Sequence, residues 1–485
     1  MRIRLGRADR PDRHQHHPAS RDDLVIESSR WRFDPNLPLL DHTPPADQIA
    51  AWIDALVAEG VRRPGEPADA WTEAWLLREL TALGLEDVTA EPVTTSRWRA
   101  GAATLEVRPQ RGTPFVVEGF PVPGSRRTSG LTARIARPGE RDLRGAIALQ
   151  RVDLTAATSS SLRDSASDWF DPEGAFDHTT EVFPISHEIN EVMGPAQALD
   201  AVAFVGALGA EGWATRDLYL PFDGISRSMP GIWITPADAD RIELVAAEGP
   251  VEATLRVDAT VEAAQTSNVI GVLPGASEHW VVIGAHRGAP WSSAVHASGV
   301  AMVLAQAALW AQLPQEERPH NLCFVLSGGA MPGDAGTDAF VKEHAAMLES
   351  VLLAVHLHNA GVATEVADGR LSPLPQPANR WWFASENGAL HDLLGSAIRA
   401  EHLGRSLVFR PDVFAEHPPS DGAPFLDAGV PIVDLMPLPR YLLSASDTVA
   451  MVHRPSLVPL TRAVARLVWD LKGMTPAVFR YDAMR

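Results

Sequence analysis

The chain has 485 residues, 45% of them hydrophobic, which is enough to bury one large core and a smaller one, so we expect two domains. Its 42 basic and 61 acidic residues give a formal net charge of −19, which disfavours nucleic acids and anionic membrane surfaces as partners. The single cysteine, Cys323, excludes an intramolecular disulfide.

The amino-terminal residues mix arginine and histidine with aspartate and proline, and they contain no apolar segment of signal-peptide length. No later stretch looks long and apolar enough to span a bilayer. A chain without a leader or a disulfide indicates the cytoplasm, and we expect neither a membrane nor a nucleic acid as a partner.

Residues 1–44 are predicted to form a flexible amino-terminal arm, because prolines interrupt every candidate helix there. Ordered structure should begin near Asp47. Apolar residues then recur at helical spacing in two segments, and the second segment ends at Gly84, which is typical of a helix terminus. A strand is predicted at 87–93.

The next segment, residues 96–265, is rich in short β-type runs and turn residues and is predicted to be an insertion. Within it, the serine-rich residues 159–187 are predicted to form a surface loop. Strands are predicted at 145–149 and 229–234, and the end of a helix followed by an apolar strand is predicted at 198–206. A helix is predicted at 236–247.

Strands and helices alternate from residue 266 onward, which indicates an α/β fold whose largely parallel or mixed sheet is covered on both faces. Ligands of such open sheets bind beyond the carboxyl ends of the strands. We therefore expect strand-end polar residues to gather at one edge, namely His286, Ser327, His358 and Asp434. Helices are predicted at 297–311, 337–348, 388–401 and 455–471.

Several motifs follow one another in this part of the chain. Two strand-like runs, 267–275 and 281–286, precede Ala297-Ser298-Gly299 at the start of an apolar helix, and a further buried strand follows at 322–329. This order resembles the di-zinc aminopeptidase family that includes secreted leucyl aminopeptidases, glutamate carboxypeptidase, glutaminyl cyclase and the transferrin receptor.

The resemblance covers residues 45–95 and 266–475. It implies a three-layer α/β/α domain with a mixed sheet of zinc-aminopeptidase type, formed by residues 45–95 and 266–485. It also implies that the β-rich insertion at 96–265 resembles a protease-associated domain, which in the family shapes access to the active-site face.

The resemblance fails at most of the family's metal-binding positions. The aspartate that would bridge two zinc ions falls on Ala294, and the paired glutamates that would act as base and ligand fall on Ala330-Met331. The last histidine ligand falls on Leu443, and a later aspartate ligand falls on His358. Because the strand histidine His286 is retained, the resemblance implies that one zinc half-site is lost and that the other has become a pair of histidines.

His286 and His358 are candidate metal ligands, because neutral imidazoles bind zinc, iron, copper and nickel. Two ligands are too few, and a third could come from His296 or from Asp421, a choice that the sequence leaves open. The alternative is that the histidines are hydrogen-bonded residues of a vacated pocket. The expected cofactor is therefore none, or one transition-metal ion such as zinc.

Catalysis without a metal has little support in the sequence, which contains no Gly-x-Ser-x-Gly motif. Asp421 and Asp447 remain the candidate catalytic residues, as acid and base on either side of a ligand. Asp447 is also the acidic residue retained from the family's Thr-x-x-Asp pattern.

Two hypotheses follow from these observations. In the first, the protein is a non-catalytic binding or scaffolding protein that holds a small molecule, a peptide or a protein in the former cleft, as the transferrin receptor binds protein partners on this fold. In the second, it is a repurposed hydrolase, lyase or transferase that acts on an amide or related small molecule. Ordinary di-zinc aminopeptidase activity is not expected, because loss of the glutamate base alone would cost orders of magnitude in rate.

Overall fold

The computed structural model describes residues 37–480, apart from 138, 185–188, 190, 210–217, 330–332, 368 and 419. Most of the expected amino-terminal arm and the Ala330-Met331 pair therefore lie outside the described residues. The last part of the arm is docked, because a short 3-10 helix, Pro38–His42, buries Leu39 and Leu40 against the long helix in the centre of the protein.

The helices of the described residues start close to the predicted positions. Helix α1 spans Ala46–Ala58, and α2 spans Pro67–Ala82 with a proline in its first turn, where the missing N–H costs no hydrogen bond. The others are α3 (Ser159–Ser165), α4 (Gly194–Ala198), α5 (Pro236–Ala247), α6 (Ala294–Ala311), α7 (Ala335–Glu343), α8 (Ala345–Leu348), α9 (Gly388–Ala400), α10 (Ala423–Asp427) and α11 (Leu457–Asp470).

The strands of the described residues form one large mixed sheet and two small antiparallel sheets. They are β1 (Glu86–Pro109), β2 (Phe115–Pro121), β3 (Thr128–Ala136), β4 (Ile147–Val152), β5 (Thr155–Thr158), β6 (Asp168–Phe170), β7 (Thr180–Phe183), β8 (Ala203–Leu208), β9 (Gly231–Ile234), β10 (Val251–Leu273), β11 (Trp280–His286), β12 (Asn321–Ser327), β13 (Val351–Leu357), β14 (Val362–Ala367), β15 (Arg370–Pro377), β16 (Arg380–Ala384), β17 (Ser406–Phe409) and β18 (Ile432–Leu435). The order in the large sheet is β1-β2-β9-β8-β4-β3-β10-β12-β11-β13-β18-β16-β17-β6.

Strands β12, β11, β13 and β18 run parallel and carry the candidate site. They are almost continuously buried, as expected of strands that are covered on both faces. Val281 and Ile283 belong to the apolar cluster that contains α6, whereas Val282 between them packs in a second cluster with Phe340 of α7. Helices therefore cover both faces, and the expected three-layer α/β class is confirmed.

Strands β1 and β10 connect this half of the sheet to the other half. They pair antiparallel from Glu86 opposite Val272 to Pro109 opposite Val251. Both strands run without a break through positions 96 and 265, where the sequence analysis puts the boundaries of the insertion. Beyond those positions, β2, β9, β8, β4 and β3 extend the same sheet.

The described part of residues 159–187 differs from the surface loop that its composition predicts. It contains α3 and strand β6, and β6 forms the edge of the large sheet beside β17, with Asp168 opposite Val408. Arg399 of α9 donates two hydrogen bonds to Asp168, at 2.8 and 2.7 Å. This pairing ties the segment to the carboxyl-terminal half of the chain, a contact that local composition does not reveal.

Helix α6 is long and apolar enough, by length and composition alone, to cross a membrane, which corrects the expectation that no stretch is. However, 94% of its apolar window is buried inside the protein. A helix that is hydrophobic on all sides is also typical of the centre of a large core, which is the position that α6 occupies.

Candidate functional site

Two histidines meet at the carboxyl edge of the parallel strands. Strand β11 ends at His286, which lies opposite Ser327 of β12. His358 follows the last residue of β13, and its backbone N–H donates to the carbonyl of Leu435. The ring centroids of His286 and His358 lie 4.9 Å apart, and both side chains are buried.

The amino terminus of α6 brings a third histidine, His296, close to His286. Their ring centroids lie 4.9 Å apart. Asp447 caps this helix, because its Oδ1 accepts hydrogen bonds from the N–H groups of Ala294 (3.1 Å) and Val295 (2.9 Å), next to the positive end of the helix dipole. Its Oδ2 lies 3.6 Å from His296 Nδ1, beyond hydrogen-bonding distance, so the main contacts of Asp447 are structural.

Ser298 and Gly299 hold α6 against the end of β13. Ser298 Oγ donates to the carbonyl of Val295 (2.5 Å) and accepts from the N–H of Ala360 (2.9 Å). A Cβ at position 299 would lie 2.3 Å from the carbonyl oxygen of Leu357, so only glycine allows this close approach. The Ala-Ser-Gly motif thus sets the distance between the helix and His358.

Asp421 supplies the carboxylate of the cluster. Its Oδ2 lies 2.7 Å from His286 Nδ1 and 3.7 Å from His356 Nε2, and its Oδ1 accepts a hydrogen bond from Thr337 Oγ1 (3.1 Å). It is 1% exposed. Asp421 and Asp447 therefore differ in their surroundings: Asp421 contacts the histidine at the strand end, whereas Asp447 binds the end of α6.

One ligand atom each from His286, His358 and Asp421 lie within 4.8 Å of one another, which makes these residues a candidate metal centre in the described part of the chain. Two imidazole nitrogens and a carboxylate oxygen suit a transition-metal ion such as zinc. Of the two possible third ligands, Asp421 belongs to this set, and His296 adjoins it without belonging to it.

Burial favours the protonation states that bind metals. It lowers the pKa of His356 to about 4 and holds the pKa values of His358 and His296 below their ordinary range, because a buried imidazolium loses its hydration. Burial alone would raise the pKa of Asp421, but the neighbouring His286 and His356 keep it below its ordinary value. Neutral imidazoles and ionised carboxylates are the forms that coordinate ions.

Buried polar atoms without partners concentrate in this region. Among the described residues, no hydrogen bond satisfies His296 Nδ1, His356 Nδ1, His358 Nε2 or Asp447 Oδ2. Such atoms are uncommon in folded proteins, where an ordered water or an ion usually satisfies them. Their presence fits a site that takes up an ion or water molecules.

Ala294 and Leu443, the residues that the resemblance aligns with two of the family's metal ligands, are both apolar and buried. Ala294 is fully buried in the first turn of α6, and Leu443 is 1% exposed with a φ of 68°. The carbonyl of Leu443 accepts hydrogen bonds from the N–H of Tyr219 (2.9 Å) and from Trp291 Nε1 (3.1 Å), so this loop is tightly held. Neither side chain can bridge or bind a cation.

Asp334 is a site residue that the sequence analysis does not single out. It has a left-handed backbone (φ 55°) just before α7, and it lines the same small cavity as His286, His358 and Asp421. Burial, and then the Asp421 carboxylate, raise the pKa of Asp334 well above its usual value. One signal was available: Asp334 is the acidic residue of the loop, 328–334, in which the family carries its paired glutamates.

The protein has the fold of M28 zinc aminopeptidases. It is similar to a peptidase M28 precursor from Shewanella amazonensis SB2B, with 20% identity, a TM-score of 0.67, and coverage of 90% of this chain and 95% of that chain. An aminopeptidase from Aneurinibacillus sp. strain AM-1 (17%, 0.64, 90% and 96%) and a zinc aminopeptidase from Bacillus subtilis (16%, 0.62, 91% and 98%) are similar as well.

No family model matches the sequence, and no curated protein matches it. Because the structural neighbours cover about nine-tenths of this chain, most of residues 96–265 must lie within the shared fold. Identities of 20% or less establish the fold and leave the chemistry to be argued from the residues of this chain.

Proposed function

We propose that this protein uses the peptidase fold for binding and does not hydrolyse peptides with a pair of zinc ions. The observation that carries the proposal is the apolar, buried pair Ala294 and Leu443 at two positions where the family holds metal. Two-metal hydrolases clamp the attacking and leaving oxygens between two bridged ions. Without the bridging carboxylate and the late histidine, the ligands that remain in the described part of the chain suit one ion and leave nothing to join a second one to it.

The enclosure of the cluster supports the same proposal. His286, His296, His358 and Asp421 are each at most 6% exposed. Apolar side chains, those of Phe222, Met436, Leu442 and Leu443, share the wall of their small cavity. Among the described residues this cavity suits an ion or a few waters, whereas a peptide would have to displace its wall.

The test is hydrolysis of a panel of aminoacyl p-nitroanilides by the full chain after loading with Zn²⁺, Co²⁺ or Mn²⁺. We expect no metal-dependent turnover above the uncatalysed rate. Turnover that depends on metal and disappears in His286→Ala would overturn the proposal, and so would stoichiometric binding of two zinc ions measured by elemental analysis.

Binding of one transition-metal ion is the second candidate function, favoured by the three donors within 4.8 Å and by the unpartnered His358 Nε2. His286 Nδ1 and Asp421 Oδ2 are hydrogen-bonded at 2.7 Å, whereas two ligand atoms of a tetrahedral zinc lie about 3.3 Å apart at its bond lengths. Either this contact opens on binding, or Asp421 keeps His286 Nδ1–H and the other ring nitrogen binds the ion.

A single bound ion would supply Lewis-acid chemistry. The residues of this chain supply the rest of the site: Asp421 orients His286, and burial beside the Asp421 carboxylate raises the pKa of Asp334, which favours its protonated form. Asp334 is therefore a carboxyl that can donate a proton to a water molecule held in the cavity.

Calorimetric titration with Zn²⁺ and Co²⁺ at pH 7.5 tests the one-ion candidate. We expect one ion per chain, with at least about tenfold weaker binding to His286→Ala and to His358→Ala, since each loses a ligand. His391→Ala, on α9 and outside the cluster, is the matched control and should bind like the wild type. Equal weak binding by all four proteins would mean that the two histidines are not ligands.

A further inference from the structure

A small pocket, open to solvent on one side, lies where the two halves of the large sheet meet. Its walls come from the loop between α1 and α2, the middle of β1, the turn after β2 and residues 219–227. Trp98, Tyr219 and Pro221 contribute apolar surface. We call it the Arg63 pocket, after the arginine that the α1–α2 loop places in its wall.

Several hydrogen-bond donors in the Arg63 pocket lack an acceptor. Among the described residues, no partner satisfies the buried Nε atoms of Arg63 and Arg97 or the indole Nε1 of Trp98. Trp98 is 7% exposed, so bulk water does not readily replace the missing acceptor. An unpaired buried donor is costly, and the pocket therefore favours a ligand rich in acceptors.

Tyr219 adds a further donor to this wall. Its backbone N–H is bound to Leu443, and the hydrogen bonds of the described residues include none from its hydroxyl. Burial raises the pKa of Tyr219 to about 12, although Arg63 nearby acts in the opposite direction. The hydroxyl therefore keeps its proton at neutral pH and can donate it.

The arginines of the Arg63 pocket differ in how their charge is compensated. Arg227 is paired with Asp223 at 2.6 Å, and Arg97 is paired with Glu262 at 2.9 Å. Arg63 has no carboxylate partner in the described part of the chain; its guanidinium lies 5.8 Å from the ring centroid of Trp291. One positive charge of the pocket is thus uncompensated.

We propose that the Arg63 pocket binds the carboxylate of a small organic molecule through Arg63 and Tyr219, with the Trp98 ring as part of its apolar wall. A monoanion matches the single uncompensated charge, and the two oxygens of a carboxylate match the planar fork of a guanidinium. The aromatic and proline surfaces accommodate the apolar part of such a molecule. The site is separate from the histidine cluster and stands whether or not the cluster binds a metal.

Calorimetric titration of the full chain with sodium benzoate tests the proposal, with benzamide as the uncharged molecule of nearly the same shape. Benzoate should bind at least tenfold more tightly than benzamide. Arg63→Gln should weaken benzoate binding at least tenfold, and Tyr219→Phe, which removes one hydroxyl, should also weaken it at least about tenfold, in line with loss of one hydrogen bond to a charged group. Arg78→Gln, an exposed arginine on α2, is the matched control and should leave binding unchanged.

Three results would overturn the proposal. The first is equal binding of benzoate and benzamide, the second is unaltered benzoate binding by Arg63→Gln and Tyr219→Phe, and the third is tighter binding of inorganic phosphate than of benzoate. If circular dichroism shows that Arg63→Gln does not fold, the benzoate affinity of Tyr219→Phe alone tests the proposal, and an unaltered affinity overturns it. The anilide assay is independent of these titrations, so failure here and failure of the proposed function are distinguishable.

Discussion

Arg287 directly follows His286, and its side chain is completely buried. Its guanidinium donates to Asp69 Oδ1 (2.6 Å), to the carbonyl of Ser267 (3.0 Å) and to Thr266 Oγ1 (2.8 Å). These bonds tie the end of β11 to α2 and β10, and they fix the backbone from which His286 projects.

Arg287→Met should lower the free energy of unfolding by about 3–5 kcal/mol, because it leaves Asp69 as a buried charge without its partner. Urea denaturation measures the loss. Adding Asp69→Asn should recover part of it, since the uncompensated charge is then removed. A loss below about 1 kcal/mol for the single variant would contradict this account of the ion pair.

The buried carboxyl of Asp434 should make the stability of the protein depend on pH. Burial raises its pKa to about 7, although Ser420 donates a hydrogen bond to it. The pKa of an aspartate in the unfolded chain is about 3.9. Between about pH 4 and pH 7, therefore, Asp434 is protonated in the folded protein and ionised in the unfolded chain. Stability from this group is complete below about pH 4 and is lost as the pH rises to about 7.

Asp434→Asn keeps a neutral side chain at every pH, so its stability relative to the wild type should rise by about 2–3 kcal/mol between pH 5 and pH 8. Urea denaturation of both proteins at the two pH values checks the sign. A difference that stays constant with pH would mean that the Asp434 carboxyl is already ionised at pH 5.

Within the candidate site, the sequence predicts which side chains meet better than it predicts their protonation states. His286 and His358 meet because each ends a parallel strand, a rule that needs only the strand pattern. The contacts of Asp421 with His286 and of Asp334 with Asp421 join a strand end and two loops that are far apart in the chain. Their pKa shifts arise from burial, which no local motif records.

Gly299 determines how closely α6 approaches β13. Gly299→Ala should lower stability by about 3 kcal/mol or more, because the new Cβ would lie 2.3 Å from one backbone carbonyl oxygen and 2.5 Å from another. Thermal and urea denaturation measure the change. Gly388→Ala, at the start of α9 with no atom of the described residues within 4 Å of the added carbon, is the matched control and should change stability by less than about 1 kcal/mol.

The helices were predictable because apolar periodicity and end signals are local. Helix α6 nevertheless begins at Ala294, three residues before the predicted 297, since Asp447 from a remote loop caps it. The predicted helix at 337–348 divides into α7 and α8 at His344. Strand β1 has 24 residues and not the predicted seven, because its length depends on pairing with β10, which its own sequence does not encode.

On the scale of the whole molecule, a single apolar cluster spans both halves of the sheet. Leu105, Phe204 and Trp233 belong to the same cluster as Val281 and Trp310. The three-layer fold was predictable from a handful of motifs in family order. The connection between the two halves of the sheet was not predictable. Composition marks residues 96–265 as different, but it does not show that β1 and β10 continue across positions 96 and 265.

This shared core predicts that the protein unfolds in one cooperative transition. Near-ultraviolet and far-ultraviolet circular dichroism should report the same midpoint in urea, and limited proteolysis should not release a stable fragment that ends near residue 96 or 265. Two separated transitions would indicate that the segment 96–265 folds as an independent domain.

The loop of residues 218–227 touches two places at once. Tyr219 lies in the wall of the Arg63 pocket, Phe222 lies in the wall of the histidine cavity, and Leu443 accepts hydrogen bonds from both Tyr219 and Trp291. A ligand that binds at one of these two sites and shifts the loop also changes the binding free energy at the other site. Thermodynamic reciprocity then requires that an ion in the histidine cavity and a carboxylate in the Arg63 pocket alter each other's affinity by the same factor. The protein would then be an allosteric receptor for two ligands, built on the fold of a hydrolase.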